Sequence, residues 1–213
     1  MRRRFVRGLV VLLLVAVCAI AIAPIRHAML RGAGRMLVAS DGIEPADLLA
    51  MDVESGEAGL LALSDLYRAR TGRAVGLLKP KSTAIDAELE RRRVVVPDFT
   101  VEVLAQLGVP KDAIVQIPAG EGGTTESAHA LADWARAHPG TKVMVVVGPS
   151  HGRRYRRALR RAWPNAHPAP VVVTTFYGLF RAEDWWQSRT TLREGLVEME
   201  KLALDYVAHP GSE

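Results

Sequence analysis

A continuous run of apolar residues over 143–147 constrains the fold of this chain more than any other feature. The run reads Val-Met-Val-Val-Val, and helical patterns precede and follow it. Such a run is expected for a parallel strand whose two faces are both covered by helices. The surrounding segment, 123–163, has the order loop, helix, turn, strand, loop and helix. This order predicts an α/β fold.

The same alternation of strand and helix patterns extends along the rest of the chain. Strands are predicted at 47–52, 74–78, 113–117, 142–147 and 171–175. Helices are predicted at 57–70, 99–107, 125–137, 153–163 and 192–207. Residues 79–97 have no clear pattern. We therefore predict one doubly wound α/β domain over 36–213, built on a mainly parallel, five-stranded, Rossmann-like sheet.

The amino-terminal residues predict a membrane anchor. Residues 8–23 carry no charge, and arginines at positions 2, 3, 4 and 7 precede them. This run is at the lower limit of length for a spanning helix, and the arginines favour a cytoplasmic amino end. We expect one transmembrane helix at about 8–25 of the inner membrane, a linker over 25–34, and an extracytoplasmic domain. A cleaved signal peptide is the alternative, although Pro24 would follow the cleavage-like Ala21-Ile22-Ala23.

Charge and composition argue against several classes of function. The net charge is +5, but five of the 28 basic residues precede His27, so residues 27–213 hold 23 basic and 23 acidic side chains. Nucleic-acid binding is therefore not expected. The single Cys18 allows neither an intramolecular disulfide nor a cysteine metal site. No metal-ligand spacing, glycine-rich dinucleotide fingerprint or Walker loop is present, so no metal is expected.

The start of the predicted helix at 125–137 is the first candidate site. Thr124, Thr125 and Glu126 follow two glycines there. Because the first backbone N–H groups of a helix are free, they can accept an anion. The alternative is an ordinary helix cap, with one threonine as the cap and Glu126 complementing the helix dipole.

A second candidate site follows the strand at 142–147, where Ser150 and His151 precede six arginines. Ser150 and His151 are neighbours and do not form a catalytic triad, but His151 could bind a ligand or act as an acid or base. Arg153 and Arg154, at the helix start, could bind a phosphate or carboxylate through paired hydrogen bonds. The alternative for the arginine run is a solvated surface.

The end of the first predicted strand contributes acids to the same edge of the sheet. Asp52 and Glu54 lie there, where open α/β sheets bind ligands. Either acid could orient a ribose, a metal or a base, or could simply cap the next helix. Trp185 and Trp186 cannot both face one core from a helix, so we expect one of them to pack and the other either to line a groove or to meet a neighbouring segment.

Several short motifs, taken in order, resemble the YdcF/SanA/ElyC-like family of bacterial envelope proteins. The resemblance extends from about Val38 to Tyr206. Its motifs are Ser40-Asp41, Ala46-Asp47, Leu66-Tyr67, Leu107-Gly-Val-Pro, Thr124-Thr125-Glu126, His151-Gly-Arg153-Arg154, Trp185-Trp186 and Glu198-x-x-Lys201. The chain departs from the family pattern at the end of the first strand, 52–56, and of the second, 78–81, where the family has glycine-rich loops.

The resemblance implies a membrane-anchored α/β domain connected with cell-envelope biogenesis or barrier function. Family members have no agreed reaction, and some are thought to bind nucleotide-like ligands such as S-adenosylmethionine. We therefore predict a small anionic or nucleotide-like ligand, bound by Thr124 and its helix start with the help of Arg153 and Arg154. His151 and Glu126 would fix its orientation. The remaining candidate ligand-binding residues are Thr125, Ser150 and Asp52.

Two alternative functions remain open at this point. One is a hydrolase or transferase acting on a phosphorylated or glycan-linked envelope precursor, with His151 as acid or base and Glu126 as its partner. The other is a non-catalytic scaffold whose arginine helix lies against anionic lipid head groups.

Overall fold

A parallel sheet of five strands forms the centre of the molecule. The structure is a computed structural model, and it describes residues 22–94, 99–120 and 123–211. The strands are β1 (Leu48–Met51), β2 (Ala74–Lys79), β3 (Ile114–Pro118), β4 (Val143–Val147) and β5 (Val171–Thr174). Their order in the sheet is β3-β2-β1-β4-β5, and every pairing is parallel. The predicted α/β class and the five predicted strands are therefore confirmed.

Helices cover both faces of this sheet. Those in the described residues are α1 (Ala23–Leu37), α2 (Gly56–Arg68), α3 (Ala84–Arg91), α4 (Phe99–Gln106), α5 (Thr124–Ala137), α6 (Gly152–Ala162) and α7 (Arg189–Ala208). The helices predicted from the sequence are present as α2, α4, α5, α6 and α7. A residue in one of these helices either packs against the sheet or faces outward, which explains their helical spacing of apolar residues.

The apolar run of β4 is buried on both sides of the sheet. Val143, Val145 and Val147 pack in one core with Leu131 of α5 and residues of α6. Met144 and Val146, which alternate with them, pack in the opposite core with residues of α2 and α4. Successive side chains of a strand point to opposite faces, so a strand covered on both faces needs an unbroken apolar sequence.

The sheet order reverses between β1 and β4. The chain builds β2 and β3 on one side of β1, then crosses over to add β4 and β5 on the other side. The carboxyl ends of β1 and β4 are therefore adjacent at a topological switch point, where open α/β sheets bind ligands in a crevice. We call this edge of the sheet, where all five parallel strands end, the carboxyl edge.

Residues 25–34, which the sequence predicts as a linker, form part of α1. The two glycines that indicated a break lie within the helix, and Gly34 is buried because it faces Trp185. The indole nitrogen of Trp185 donates to the carbonyl oxygen of Leu30 at 2.8 Å. Trp186 stacks on His27 with ring centroids 5.7 Å apart. As expected, one tryptophan packs and the other meets a neighbouring segment, and together they hold α1 against α7.

The segment without a clear sequence pattern contains α3. Thr83 precedes this helix, and its hydroxyl accepts from the backbone N–H of Asp86 at 3.1 Å. The Asp86 carboxylate in turn accepts from the backbone N–H of Thr83 at 2.7 Å. This reciprocal capping fixes the start of a helix that has no buried residue.

The predicted membrane anchor falls largely outside the described residues, since it covers about 8–25. In the ranges that the structure describes, no helix is long and apolar enough to cross a membrane.

Replacing Gly34 by alanine should destabilise the fold. A Cβ atom at this position would lie 2.8 Å from both the carbonyl oxygen of Ala182 and Cδ1 of Trp185. Because neither group can move freely, we expect a loss of about 1–3 kcal/mol in the free energy of unfolding, measured by urea titration. Gly32→Ala, in the same helix, meets nothing within 4 Å and should instead stabilise by up to about 1 kcal/mol. Equal effects of the two substitutions would contradict this packing.

Candidate functional site

Charged side chains from several elements converge at the switch point. Asp52 and Glu54 directly follow β1, and His151 ends the short helical turn between β4 and α6. Arg154 lies in the first turn of α6, while Glu198 and Lys201 come from α7, which packs against α6. We call Glu54, His151, Arg154, Glu198 and Lys201 the ionic cluster.

Two glutamates hold the imidazole of His151 in the ionic cluster. Its Nδ1 lies 3.1 Å from a carboxylate oxygen of Glu54 and 3.1 Å from one of Glu198. The His151 ring packs closely on Gly148, where a Cβ atom would be only 2.7 Å from Cδ2 of the ring. The glycine at the end of β4 therefore makes room for the imidazole.

Arg154 links the two glutamates to α5. Its Nε donates to Glu198 at 2.9 Å, and one terminal nitrogen, Nη2, donates to Glu54 at 2.9 Å. The other terminal nitrogen donates to the hydroxyl of Thr124. Since each nitrogen of the guanidinium already has a partner, Arg154 acts as a clamp within the cluster.

The carboxylates and the imidazole stabilise each other's charged forms. Burial alone would lower the pKa of His151, but hydrogen bonds and charge from Glu198 and Glu54 raise it to about 9. The hydrogen bond from His151 lowers the pKa of Glu54 to about 2. Burial opposes the same change in Glu198, yet His151, Arg154 and Lys201 bring its pKa to about 2. At neutral pH the cluster thus contains a cationic imidazole.

Asp52 is buried beside the ionic cluster without a hydrogen-bond partner. Asp52 is 0% exposed, and neither oxygen of its carboxyl group has a hydrogen-bond partner among the described residues. Burial and the nearby charge of Glu54 raise the pKa of Asp52 to about 6. The hydroxyl of Tyr155 is likewise buried and unpartnered, and its pKa is raised by burial and by the charge of Asp52.

Three members of the cluster have the spacing of metal ligands. Glu54, His151 and Glu198 each offer one ligand atom, and these atoms lie within 4.8 Å of one another. The same carboxylates accept from Arg154 and Lys201, whose nitrogen lies 2.8 Å from Glu198. These positive charges already neutralise the glutamates and would repel a divalent cation, so we interpret the group as an ion-pair cluster.

An open cavity borders the ionic cluster on the side of α7. Its volume is about 520 Å³. The residues lining it are His151, Arg189, Thr190, Arg193, Glu194, Val197, Glu198 and Lys201. A second cavity, of about 360 Å³, lies at the ends of β1 and β2 and is lined mainly by apolar side chains, including Met51, Leu60 and Leu77.

The structure brings some of the predicted site residues together. Thr124 is buried and bonds Arg154, and Ser150 is buried and donates to Glu194 beside the cavity. Neither Thr124 nor Thr125 caps α5, because the capping position is Gly123, whose φ of 98° suits a glycine. The cap interpretation for the threonines is therefore wrong.

Other predicted site residues lie apart from the cluster. Thr125 and Glu126 are exposed in the first turn of α5, and a carboxylate oxygen of Glu126 lies near Gly123. In the described ranges, His151 contacts Glu54 and Glu198, and no hydrogen bond or ion pair joins it to Glu126. The Nε of Arg153 donates to the carbonyl oxygen of Met36 at 2.5 Å, which fastens the end of α1 to α6.

The remaining arginines of α6 mostly bind acids within the domain. Arg156 donates to Asp41 at 2.7 Å. Arg157 and Arg161 both donate to Asp205, each at 2.6 Å, and Arg157 also covers the ring of Tyr206. The run is therefore largely structural, because it joins α6 to α7, and Arg160 is its exposed member.

Sequence reasoning did not assign a role to Glu198 or Lys201. They lie about fifty residues beyond His151 in the chain, so no local pattern connects them. Their spacing of three residues puts both side chains on one helix face, which is the signal that could have paired them. The sequence analysis placed Glu54 at the end of the first strand, but it did not pair this residue with His151.

Comparison of the chain with models of known families and with curated proteins gives no match.

Replacing Asp52 by asparagine should stabilise the protein at neutral pH. The raised pKa means that the folded state holds its proton more tightly than the unfolded chain, so wild-type stability falls as the pH rises from about 4 to about 6. Asparagine has no carboxyl group to ionise, so the stability of the variant does not fall in this way. Its advantage in the free energy of unfolding should therefore be small at pH 4, grow by about 1.4 kcal/mol for each pH unit up to pH 6, and then stay constant.

Urea titrations across this pH range would measure the effect of the Asp52 substitution. Asp112→Asn, at an exposed carboxylate, is the matched control and should show little such growth. An advantage of Asp52→Asn that does not change between pH 4 and 8 would contradict a buried, uncompensated carboxylate.

Proposed function

We propose that this protein binds a small anionic ligand, phosphorylated or nucleotide-like, in the cavity beside the ionic cluster. The observation that carries the proposal is the state of His151, whose Nδ1 is held by two carboxylates while the residue lines the cavity. Within the described part of the chain its Nε2 has no hydrogen-bond partner. A fixed, cationic N–H donor beside an open cavity is suited to an anionic oxygen.

The lining of the cavity supports the same ligand class. Four basic side chains, His151, Arg189, Arg193 and Lys201, face two carboxylates, Glu194 and Glu198. Arg189 and Arg193 lie one turn apart on α7 and are exposed. With His151 protonated, the lining has a surplus of positive charge. This surplus favours a phosphorylated ligand over S-adenosylmethionine, whose sulfonium is a cation.

The position at the switch point favours a ligand of nucleotide size. The second cavity opens at the ends of β1 and β2, on the same edge of the sheet, and is mainly apolar. Doubly wound folds bind nucleotides across the carboxyl ends of their strands. An apolar or planar part of the ligand would fit in this second cavity while its anionic group meets His151.

We place this function in the bacterial cell envelope. The support is the resemblance of the chain to YdcF/SanA/ElyC-like proteins and the uncharged run at residues 8–23 behind four arginines. In this proposal the run anchors the protein in the inner membrane with the domain outside, where it contributes to envelope biogenesis or barrier function.

A hydrolase or transferase acting on a phosphorylated envelope precursor is the second candidate. The arrangement that favours it is the imidazole oriented through Nδ1 by carboxylates, which leaves Nε2 to exchange a proton with a substrate. Because its pKa is about 9, His151 would be a general acid at neutral pH. Glu54 and Glu198, instead of Glu126, would be its partners.

The scaffold alternative depends on arginines that are free to meet lipid. Five of the six arginines in α6 already bond other described residues: Arg153, Arg154, Arg156, Arg157 and Arg161. We therefore prefer a ligand-binding function to a scaffold built on this helix.

Reversing the charge of Arg193 should weaken ligand binding without disturbing the ionic cluster. Ligand bound only by the folded state stabilises it by about 2.7 kcal/mol at a concentration of 100 Kd. We expect pyrophosphate and nucleoside diphosphates to raise the unfolding temperature of the full chain, with S-adenosylmethionine as the comparison. Arg193→Glu should lower the affinity roughly tenfold or more, which is about 1.4 kcal/mol.

Arg73→Glu is the control for charge alone, since Arg73 is exposed at the start of β2, at the opposite edge of the sheet. It should leave the ligand-induced shift intact. Absence of any shift with phosphorylated ligands, or equal weakening by both substitutions, would contradict the proposed site. Turnover of a ligand that is lost in His151→Asn would favour the enzyme.

A further inference from the structure

We infer that the carboxyl edge of the sheet faces the membrane, so that the ligand is the anionic head group of a lipid. This inference rests on the proposed function, because it assumes both the site at the ionic cluster and the anchor before α1. It adds the orientation of the domain and the source of the ligand. The observations that support it are the direction of α1 and the distribution of exposed apolar side chains.

The direction of α7 establishes which of its parts extend beyond the sheet. Glu198 contacts Arg154 in the first turn of α6, at the level of the carboxyl edge. Asp205 contacts Arg157 and Arg161, which lie further along α6 towards the opposite edge. The two helices therefore run in the same direction. Residues of α7 before Glu198 extend beyond the carboxyl edge, and Arg189 lies about 14 Å above Glu198 at 1.5 Å per residue.

Helix α1 lies beside this projecting half of α7. Its last turn is at the carboxyl edge, where Met36 accepts from Arg153 of α6. Its first half contacts the tryptophans that precede α7, since Trp185 bonds Leu30 and Trp186 stacks on His27. Ile22 is therefore about 20 Å from Met36, beyond the carboxyl edge.

The uncharged run of the sequence ends at the start of α1, on the side of the ionic cluster. Its last residue, Ala23, is the first residue of that helix. A membrane segment that leads into this end of α1 would bring the bilayer towards the carboxyl edge. It would leave the amino ends of the strands facing away from the membrane.

Exposed apolar side chains surround the same edge. They come from α1, from the loop after β5 and from the starts of the helices that follow β2, and also from the projecting half of α7. We call them the apolar crown: Ile22, Ile25, Met29, Met36, Ile85, Phe99, Phe176, Leu179 and Leu196. Leu179 is 76% exposed, Ile85 71% and Phe99 64%. Exposed apolar groups gathered around a polar site are typical of a surface that meets a membrane or a partner.

Charge complementarity and continuity select a bilayer as the occupant. Ile22, Ile25 and Met29 are spaced along one face of α1, which continues the apolar run that precedes them. Arg31 of α1 and the exposed Arg189 and Arg193 of α7 lie in the same projecting region. Apolar and basic side chains in one region match the acyl boundary and the anionic head groups of a bilayer.

This orientation determines how a ligand would reach the site. The cavity of about 520 Å³ is lined by the projecting half of α7, so it lies on the side of the domain that faces the membrane in this orientation. A phosphate head group at the bilayer surface could contact His151 and Arg193 while its acyl chains stay among the lipids. The class of ligand is therefore an amphiphile with a phosphorylated head group.

Depth-dependent quenching on the full chain tests the orientation. In a Cys18→Ala background, Leu179→Cys and Val207→Cys would each carry an environment-sensitive fluorophore. The two positions are 76% and 81% exposed, but Val207 lies about 14 Å beyond Glu198 towards the opposite edge. In vesicles of phosphatidylethanolamine and phosphatidylglycerol with brominated acyl chains, we expect stronger quenching at Leu179 than at Val207. Equal quenching, or none at either position, would overturn the orientation.

A second comparison tests the source of the ligand. Phosphatidic acid in the vesicles should raise the unfolding temperature of the wild type but not of Arg193→Glu, while soluble glycerol phosphate should need a much higher concentration for the same shift. Stabilisation by the soluble compound alone would overturn the lipid-borne ligand and leave the proposed anion site standing. Loss of every phosphate-dependent shift, with quenching still stronger at Leu179 than at Val207, would instead defeat the proposed site and keep the orientation.

Discussion

The ion pair between Arg154 and the buried Glu198 is the interaction on which the rest of the site depends. Glu198 has only 2% of its side chain exposed, and a carboxylate at that depth needs charged partners to remain ionised. Arg154 supplies two hydrogen bonds and His151 a third contact. Removing one partner from such a pair typically costs about 3–5 kcal/mol, because it leaves the other charge uncompensated.

The same contacts assemble parts of the chain that are remote in sequence. Arg154 joins Glu198 of α7 to Glu54 after β1 and to Thr124 of α5, all at the switch point of the sheet. They also keep His151 charged at the edge of the cavity. A structural ion-pair network and the proposed site for anions are thus one arrangement. The carboxyl group of Asp52 beside it is buried without a hydrogen-bond partner in the part of the chain that the structure describes, which destabilises the folded state at this edge.

Local sequence patterns were sufficient for the fold. The unbroken apolar run of β4 needs cover on both faces, and the alternation around it implies a doubly wound sheet. They failed at α1, where Gly34 indicated a break in the helix. This glycine lies within the helix, and its lack of a side chain leaves room for Trp185. For the site they identified Asp52, Glu54, Thr124, His151 and Arg154. They could not pair His151 with Glu198, because only the packing of α7 on α6 brings those side chains together.

The protonation state of His151 tests the central claim most directly. Nitrogen-15 NMR of labelled histidine reports whether both ring nitrogens carry protons at each pH. If Glu54 and Glu198 hold the imidazole as described, one histidine signal should stay cationic through neutral pH and titrate with a pKa of about 9, and it should be absent in His151→Asn. A signal from His151 that titrates near the ordinary value of about 6.5 would contradict the cluster as the basis of the site.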